Sequence, residues 1–217
     1  MNPGEIIVSV IIVLISLTFH EAAHATTSYF MGDPTAKSQG RLSLNPIVHI
    51  DLFGTIIIPL ILAAIGGVIF GWAKPVPVNP SNLKNPKRDE GIIAASGPMT
   101  NLALAVISTA ILRIINGVPS EWLSVGVGDY IRMILVFAIL INIFLALLNL
   151  IPISPLDGAS VLNALLSPSA SVKFQKINKY GFFILLGLLF FTDIIDKYYF
   201  NLIGKTLFQF LIRLTTG

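Results

Sequence analysis

The chain alternates long apolar runs with short polar segments, and the lengths of the runs predict helices that cross a membrane. The first helix is predicted over residues 3–31, and residues 6–17 within it carry no charge. Further apolar runs lie at about 89–115, 130–150, 180–195 and 199–214. Runs of about 18 or more apolar residues are typical of membrane spans. The pattern therefore predicts an all-α integral membrane protein, built as a polytopic helical bundle.

One further apolar segment, residues 53–70, has two interpretations. Pro59 and the pair Gly66-Gly67 interrupt it, so it either crosses the membrane or enters and returns on the same side. Lys and Arg collect in cytoplasmic loops, and the re-entrant interpretation places the basic residues of 37–88 and of 173–179 on one side. It is therefore favoured, with about five to six membrane segments in total. The C-terminal end of the first helix then faces the cytoplasm.

Composition supports a membrane-embedded chain with almost no soluble part. Hydrophobic residues make up 54% of the sequence and charged residues 12%, whereas a soluble domain carries about 25% charged residues. We expect one domain over residues 1–217, with a core at about 1–166 and accessory C-terminal helices at about 178–215. The sequence has no cysteine, which excludes disulfides and thiolate metal sites. The net charge of +3 reflects lysines in loops and does not indicate nucleic-acid binding; a multi-pass protein of the cell membrane, surrounded by lipid, is predicted.

The candidate chemistry lies in the first helix, where His20, Glu21 and His24 follow the pattern HExxH. Residues four positions apart share one helix face, so both imidazoles can reach one zinc ion. The carboxylate of Glu21 can then reach a water bound to that ion. A charged group in an apolar helix costs about 2.5 kcal/mol or more, so such residues are usually functional. The alternative, polar residues at a helix end near lipid headgroups, does not explain the spacing. One Zn²⁺ per chain is predicted.

A catalytic zinc needs a third protein ligand and an open position for water. Asp157 is the best candidate because it is the only acidic residue in the segment 130–192 and directly follows a helix break at Pro152 and Pro155. Irregular backbone at membrane depth is tolerated only where it is buried in protein or lines a wet cavity. The alternative is a turn residue, since Asp157 is followed by Gly158 and Asp-Gly is a turn signal.

Three motifs in this order resemble the site-2 protease family of intramembrane zinc metalloproteases. They are the HExxH of the first helix, Gly97-Pro98-x-x-Asn101, and Asn149-x-x-Pro152-x-x-Pro155-Leu156-Asp157-Gly158. The resemblance covers about residues 15–165 and is greatest for the compact prokaryotic members without PDZ or CBS domains. It implies an endopeptidase that hydrolyses a peptide bond within or near the transmembrane helix of membrane-protein substrates.

The resemblance also implies a role for each motif residue. Zinc is bound by His20, His24 and Asp157, and Glu21 is the general base. Asn149 orients the substrate backbone or stabilises the oxyanion. These roles agree with those that the residue types and their spacing predict for the metal site.

The predicted substrate-binding residues are Asn101, Gly40, Arg41 and Leu42. Residues 40–44 form either a short strand or a loop, and an exposed strand edge can bind an extended peptide. Members of the resembled family carry a membrane-associated β segment after the first motif, which fits residues 38–46. For Asn101 the resemblance implies helix packing or a hydrogen bond near the site.

The sequence leaves two alternative functions and one further candidate metal ligand. The chain could be a zinc transporter, with Glu21 as an additional ligand, or an inactive relative that binds membrane proteins. The presence of all the expected catalytic residues argues against the inactive relative. His49 is either a further metal ligand or, as is more usual for a lone histidine in a loop, a packed or solvated side chain.

Overall fold

The computed structural model of the chain describes residues 3–57, 61, 73–119 and 126–216, and within these ranges it is helical with no β-strand. The α-helices are α1 (Pro3–Phe30), α2 (Thr35–Ser38), α3 (Pro86–Asn116), α4 (Val127–Leu150), α5 (Asp157–Leu165), α6 (Pro168–Asn178), α7 (Gly181–Phe191) and α8 (Lys205–Thr216). Shorter 3₁₀ or π-helical stretches lie at Pro46–His49, Leu52–Ile57, Pro80–Asn82 and Ile195–Gly204.

Three of the described helices, α1, α3 and α4, are long and apolar enough to cross a membrane. They correspond to the three longest apolar runs that the sequence predicts. The last two runs form α7, which has 11 residues, and a π-helical stretch that continues into α8. Most of the 53–70 segment lies outside the described residues, so the choice between dipping and crossing stays a prediction.

Helix α3 occupies the centre of the fold, where it packs against α1, α4, α5 and α8. Its buried residues Ala105 and Leu112 join a core with Ile139 and Ile143 of α4 and Leu211 of α8. Many large apolar side chains of the bundle face outward instead, as a protein surrounded by lipid tails permits. The C-terminal helix therefore completes the same core as the membrane-spanning helices.

The expected β segment is wrong for the part of the chain that the structure describes, because residues 40–44 form turns and bends. The side chain of Arg41, only 4% exposed, donates hydrogen bonds to the carbonyl groups of Val48, Lys74 and Pro75. The guanidinium group of Arg41 thus connects residues 40–44 to Val48 and to the Lys74-Pro75 segment. A strand ladder, with its regular backbone pairing, is not needed to order this stretch.

Asp33 fastens the end of α1 to the segment that leads into α3. Its fully buried carboxylate accepts hydrogen bonds from the hydroxyls of Ser28 and Thr35, the amide side chain of Asn82, and the backbone N–H groups of Thr35 and Asn79. Burial alone would raise the pKa of Asp33, but these hydrogen bonds outweigh it and lower the pKa from 3.8 to about 2.

We expect Asp33→Asn to destabilise the protein by about 2 kcal/mol at neutral pH, since the depressed pKa measures how strongly the fold favours the charged carboxylate. In the wild type this contribution is present above pH 4 and is lost as the pH falls from about 4 towards 2. Thermal unfolding in detergent as a function of pH measures both effects. Asp129→Asn, which removes a surface carboxylate paired with Arg132, should change stability by less than about 1 kcal/mol. An equal loss in the two variants would contradict this account of Asp33.

Candidate metal centre

Helix α1 brings the two motif histidines together on one face, as their spacing predicts. The Nε2 atoms of His20 and His24 lie 3.0 Å apart, and both side chains are more than nine-tenths buried. His20 lies ten residues before Phe30, the last residue of α1, which corresponds to about 15 Å along the helix axis. The pair therefore lies well inside a helix that is apolar enough to cross a membrane.

Asp157 joins the histidines from a different helix, α5. Its Oδ2 atom lies 3.1 Å from His20 Nε2 and 3.4 Å from His24 Nε2. The residue opens α5 directly after the break at Pro152 and Pro155, where the chain leaves α4. The structure thus brings these three side chains together into one group that could hold a metal ion.

The close start of α5 against the end of α4 depends on a glycine. A Cβ atom added to Gly158 would lie 2.3 Å from the carbonyl oxygen of Leu150 and 2.5 Å from that of Ile151. Any larger residue would therefore push α5 away from α4. The Asp-Gly pair consequently positions the carboxylate of Asp157, in addition to its ordinary role as a turn signal.

The hydrogen bonds behind the histidines determine which ring nitrogens carry protons. His24 Nδ1 lies 2.7 Å from the carbonyl oxygen of Ile93, and His20 Nδ1 lies 2.7 Å from Asn101 Oδ1. Both partners are acceptors, so each Nδ1 is the donor and each neutral ring turns the lone pair of its Nε2 towards the other.

Two lone pairs and one carboxylate oxygen therefore meet within 3.0–3.4 Å. Such an arrangement is repulsive unless a metal ion or a proton lies between the atoms. Tetrahedral zinc with bonds of about 2.0–2.1 Å separates its ligand atoms by about 3.3 Å. The Oδ2 atom of Asp157 is also buried with no hydrogen-bond partner among the described residues. The donor set and its spacing thus fit zinc.

Asn101 lies behind His20 and is fully buried. Its Nδ2 donates to Asn142 Oδ1 at 2.9 Å, and the Nδ2 of Asn142 donates to the carbonyl oxygen of Ala138 at 2.9 Å. Because that carbonyl only accepts, it orients both amides and directs Asn101 Oδ1 towards His20. This position favours the hydrogen-bonding role that the sequence implied for Asn101 over direct contact with substrate.

Asn142 was missed by the sequence analysis, although a signal was present. It is an amide in the middle of α4, which is the most hydrophobic of the three candidate spans. Polar residues in such positions usually pair with one another or with backbone carbonyl groups, and Asn142 does both. Partners that orient a metal-ligating histidine commonly affect metal affinity by 10- to 100-fold.

Gly97 marks the point where α3 crosses the histidines. A Cβ atom added there would lie 2.5 Å from His24 Nε2 and 2.6 Å from both Cε1 and Nε2 of His20. No real Cβ atom sits that close to a ring. The small residue is therefore required if the imidazoles are to keep their positions.

Glu21 lies beside the histidines and is 8% exposed. Its Oε2 atom is buried and has no hydrogen-bond partner within the described ranges. Asn149 also lines the site and donates one hydrogen bond from Nδ2 to the carbonyl oxygen of Leu145 at 3.0 Å. An amide nitrogen has two hydrogens, so one remains for another acceptor.

A cleft of about 640 Å³ opens beside this group. Its walls come from α1, α3, the end of α4, the start of α5, the segment 73–78 and Phe182 of α7. The lining residues include Leu17, His20, Glu21, His24, Val76, Val78, Glu90, Ile93, Asn149, Asp157, Ser160 and Phe182.

The predicted substrate residues Gly40, Arg41 and Leu42 are not among the residues that line this cleft. Arg41 instead fixes the segment 73–78, which does line it, through the carbonyl groups of Lys74 and Pro75. His49 is buried, its Nε2 lies 2.8 Å from the carbonyl oxygen of Ser43, and it does not join the metal-binding group.

Comparison with known proteins identifies the family. The model of peptidase family M50 matches residues 124–191. A Bacillus subtilis protein named "Putative zinc metalloprotease YwhC" is 39% identical over 188 residues, covering 85% of this chain and 80% of that protein. "Putative zinc metalloprotease Rip2" of Mycolicibacterium smegmatis is 28% identical over 191 residues, covering 88% of this chain and 69% of its own length. "Putative zinc metalloprotease MJ0611" of Methanocaldococcus jannaschii is 30% identical over 156 residues, 72% of this chain and 69% of that protein.

No solved structure gives a significant match to the chain. The similarity to the Bacillus protein extends over most of both chains. On this similarity, the family match and the zinc-compatible site, the chain belongs to peptidase family M50, the site-2 protease family, and is a zinc metalloprotease with membrane-spanning helices.

Proposed function

We propose that this protein is an intramembrane endopeptidase that hydrolyses a peptide bond within or near the transmembrane helix of membrane-protein substrates. The observation that carries the proposal is the position of the metal-binding group among all three candidate spans. Helix α1 contributes His20 and His24, α3 contributes the carbonyl group of Ile93 behind His24, and the break after α4 contributes Asp157. A hydrolytic centre in that position suits substrates that are themselves embedded in the bilayer.

The proposed roles follow from the chemistry of each group. Zinc, when bound, lowers the pKa of a water ligand to about 7 and polarises the scissile carbonyl. Glu21 accepts the proton of the attacking water on its unpaired Oε2 and delivers it to the leaving amine. Asn149 donates its remaining N–H to the developing oxyanion, an interaction typically worth about 3 kcal/mol in the transition state. Asn101 holds the ring of His20 in the orientation and tautomer that metal binding requires.

The segment 73–78 is proposed to bind the substrate backbone. Pro75 and Pro77 keep it out of helical conformation, and Val76 and Val78 line the cleft. In the described residues the backbone N–H groups of these two valines have no hydrogen-bond partner. Residues two apart in an extended chain present N–H and C=O groups to the same edge, so a peptide can pair with them as an added strand.

The membrane arrangement is proposed from the charge pattern. Basic residues at 37–41, 74–88 and 173–179 belong together on the cytoplasmic side, which orients the site towards the cytoplasm in a multi-pass protein of the cell membrane. Helix α7 and the helical run 195–216 are proposed to add two membrane segments to the three spans, giving five, or six with the 53–70 segment. Because α8 packs into the core with α3 and α4, residues 1–217 are treated as one domain, with a core at about 1–166 and accessory helices at about 178–215.

Cleavage of a single-span model substrate in liposomes tests the proposal. We expect mass spectrometry of the products to locate the cut within the span or a few residues from its end. Removal of the metal with a chelator should abolish cleavage, and one equivalent of Zn²⁺ per chain should restore it. Zinc flux across the liposome membrane without any peptide cleavage would instead favour a transporter and would overturn the proposal.

A further inference from the structure

The cleft contains one carboxylate that the proposed reaction does not use. Apart from the metal-binding group and Glu21, Glu90 is the only charged residue among the described residues that line the cleft. Its side chain is half-buried, and no hydrogen bond or ion pair to it is found among the described residues. A carboxylate in this condition has lost part of its hydration without gaining a partner, so it favours a cationic ligand.

The neighbouring charged groups are already engaged, in contrast to Glu90. The carboxylate of Asp89 accepts hydrogen bonds from the backbone N–H of Asn85 and from the guanidinium of Arg88. The ammonium group of Lys87 donates to the carbonyl oxygen of Leu166. Lys87 and Arg88, the two cations closest to Glu90 in sequence, thus have other partners, and the carboxylate of Glu90 is left available to a cationic group of a molecule in the cleft.

Glu90 also lies on the face of α3 that meets the metal site. It precedes Ile93 by three residues and Gly97 by seven, a spacing that keeps side chains on one helix face. Ile93 holds His24 through its carbonyl group, and Gly97 faces both imidazoles. The rise of 1.5 Å per residue puts Glu90 about 10 Å along the helix from the metal-binding group. An extended peptide covers that distance in about three residues.

Helix α5 supports the same wall of the cleft. Gly91, the residue after Glu90, lies where α3 and α5 cross, because a Cβ added to it would be 2.3 Å from the Cβ of Ala164. Ser160, one turn after Asp157 on α5, lines the cleft with Glu90. Glu90 therefore lies on a helix that packs closely against α5, and both helices contribute to the metal site.

We propose that Glu90 is a specificity-determining residue that pairs with a Lys or Arg side chain of the substrate, about three residues from the scissile bond. The inference rests on the proposed function. Membrane-spanning helices carry Lys and Arg at their cytoplasmic ends, and Glu90 lies in the second turn of α3, just after the basic residues Lys87 and Arg88 that belong on that side. The substrate feature that Glu90 reads is thus the basic flank of a transmembrane helix.

A matched set of single-span substrates tests the inference with the full-length zinc-loaded protein in liposomes. Each substrate carries one Lys at a position two to five residues from the mapped cut, on either side, and partner substrates carry Gln or Glu at the same position. The kcat/KM of each pair is measured for the wild type, for Glu90→Gln, for Glu90→Lys and for the control Asp129→Asn.

The wild type and Asp129→Asn should prefer Lys over Gln by about tenfold at one position. Glu90→Gln should lose this preference while cleaving the Gln substrate within about twofold of the wild-type rate, and Glu90→Lys should prefer Glu there. A Lys preference that persists in Glu90→Gln overturns the inference. So does an equal loss of cleavage of both substrates, or a zinc content that falls in Glu90→Gln. If the wild type cleaves no substrate at all, the proposed function itself fails and the inference falls with it.

Discussion

Glu21→Gln is expected to lower peptide hydrolysis by about 10²- to 10⁴-fold, the usual contribution of general acid–base catalysis, while the protein retains its zinc. The amide has nearly the shape of the carboxylate but cannot accept the proton of the attacking water. Because Glu21 is not among the three side chains that converge on the metal position, its charge is not needed to hold zinc. The measurement is cleavage of the single-span substrate together with the zinc content of the purified variant.

Glu5→Gln is the matched control, since Glu5 is on the same helix in its first turn, far from the site. This variant should cleave at the wild-type rate. Wild-type cleavage by Glu21→Gln with zinc bound would show that another group takes the proton. Loss of zinc from Glu21→Gln would instead make Glu21 a ligand, as the transporter alternative requires.

Gly97→Ala is expected to weaken zinc binding and to lower activity together. The added methyl group would overlap the ring atoms of His20 and His24 at 2.5–2.6 Å, so at least one imidazole has to leave its position or α3 has to move away from α1. Losing the geometry of one ligand removes the tetrahedral site, and we expect zinc affinity to fall by more than tenfold. Zinc titration and cleavage assays measure the two effects.

The chain supplies a control of the same chemistry in Gly187→Ala. Gly187 is in α7, and a Cβ added there meets no atom within 4 Å. The variant should bind zinc and cleave substrate as the wild type does. Full zinc occupancy and activity in Gly97→Ala would mean that the close approach of α3 to the imidazoles is not maintained in the working enzyme.

The long apolar runs predicted the membrane-spanning helices closely. The first span was expected at 3–31 and is found at Pro3–Phe30, and the span expected at 130–150 is found at Val127–Leu150. These helices are apolar over most of their length, so their extent follows from local sequence alone. The conformation of residues 38–46 was not predictable in the same way, because a single buried side chain, Arg41, orders that region through partners as far away as Pro75.

The metal-binding group was predictable because two local signals coincide. The HExxH spacing puts His20 and His24 on one helix face, and the proline break delivers Asp157 where a helix would otherwise continue. The groups around the ligands depend on helix packing, which no local pattern contains. Asn142 reaches His20 only through Asn101, and the two amides are 41 residues apart in the chain.

The segment 73–78 is tied down at both ends, by Arg41 at its start and by Asp33 just after it, where the carboxylate binds the backbone of Asn79. Because the segment 73–78 is already held in place, it loses little conformational entropy when a peptide binds. Nearly all of the ordering must therefore occur in the substrate chain. A helical membrane span has to unwind locally before its backbone amides can pair with the segment 73–78. The enzyme would then select its substrates by how readily their membrane spans unwind. Glycine, proline or asparagine near the cleavage site would mark the susceptible spans.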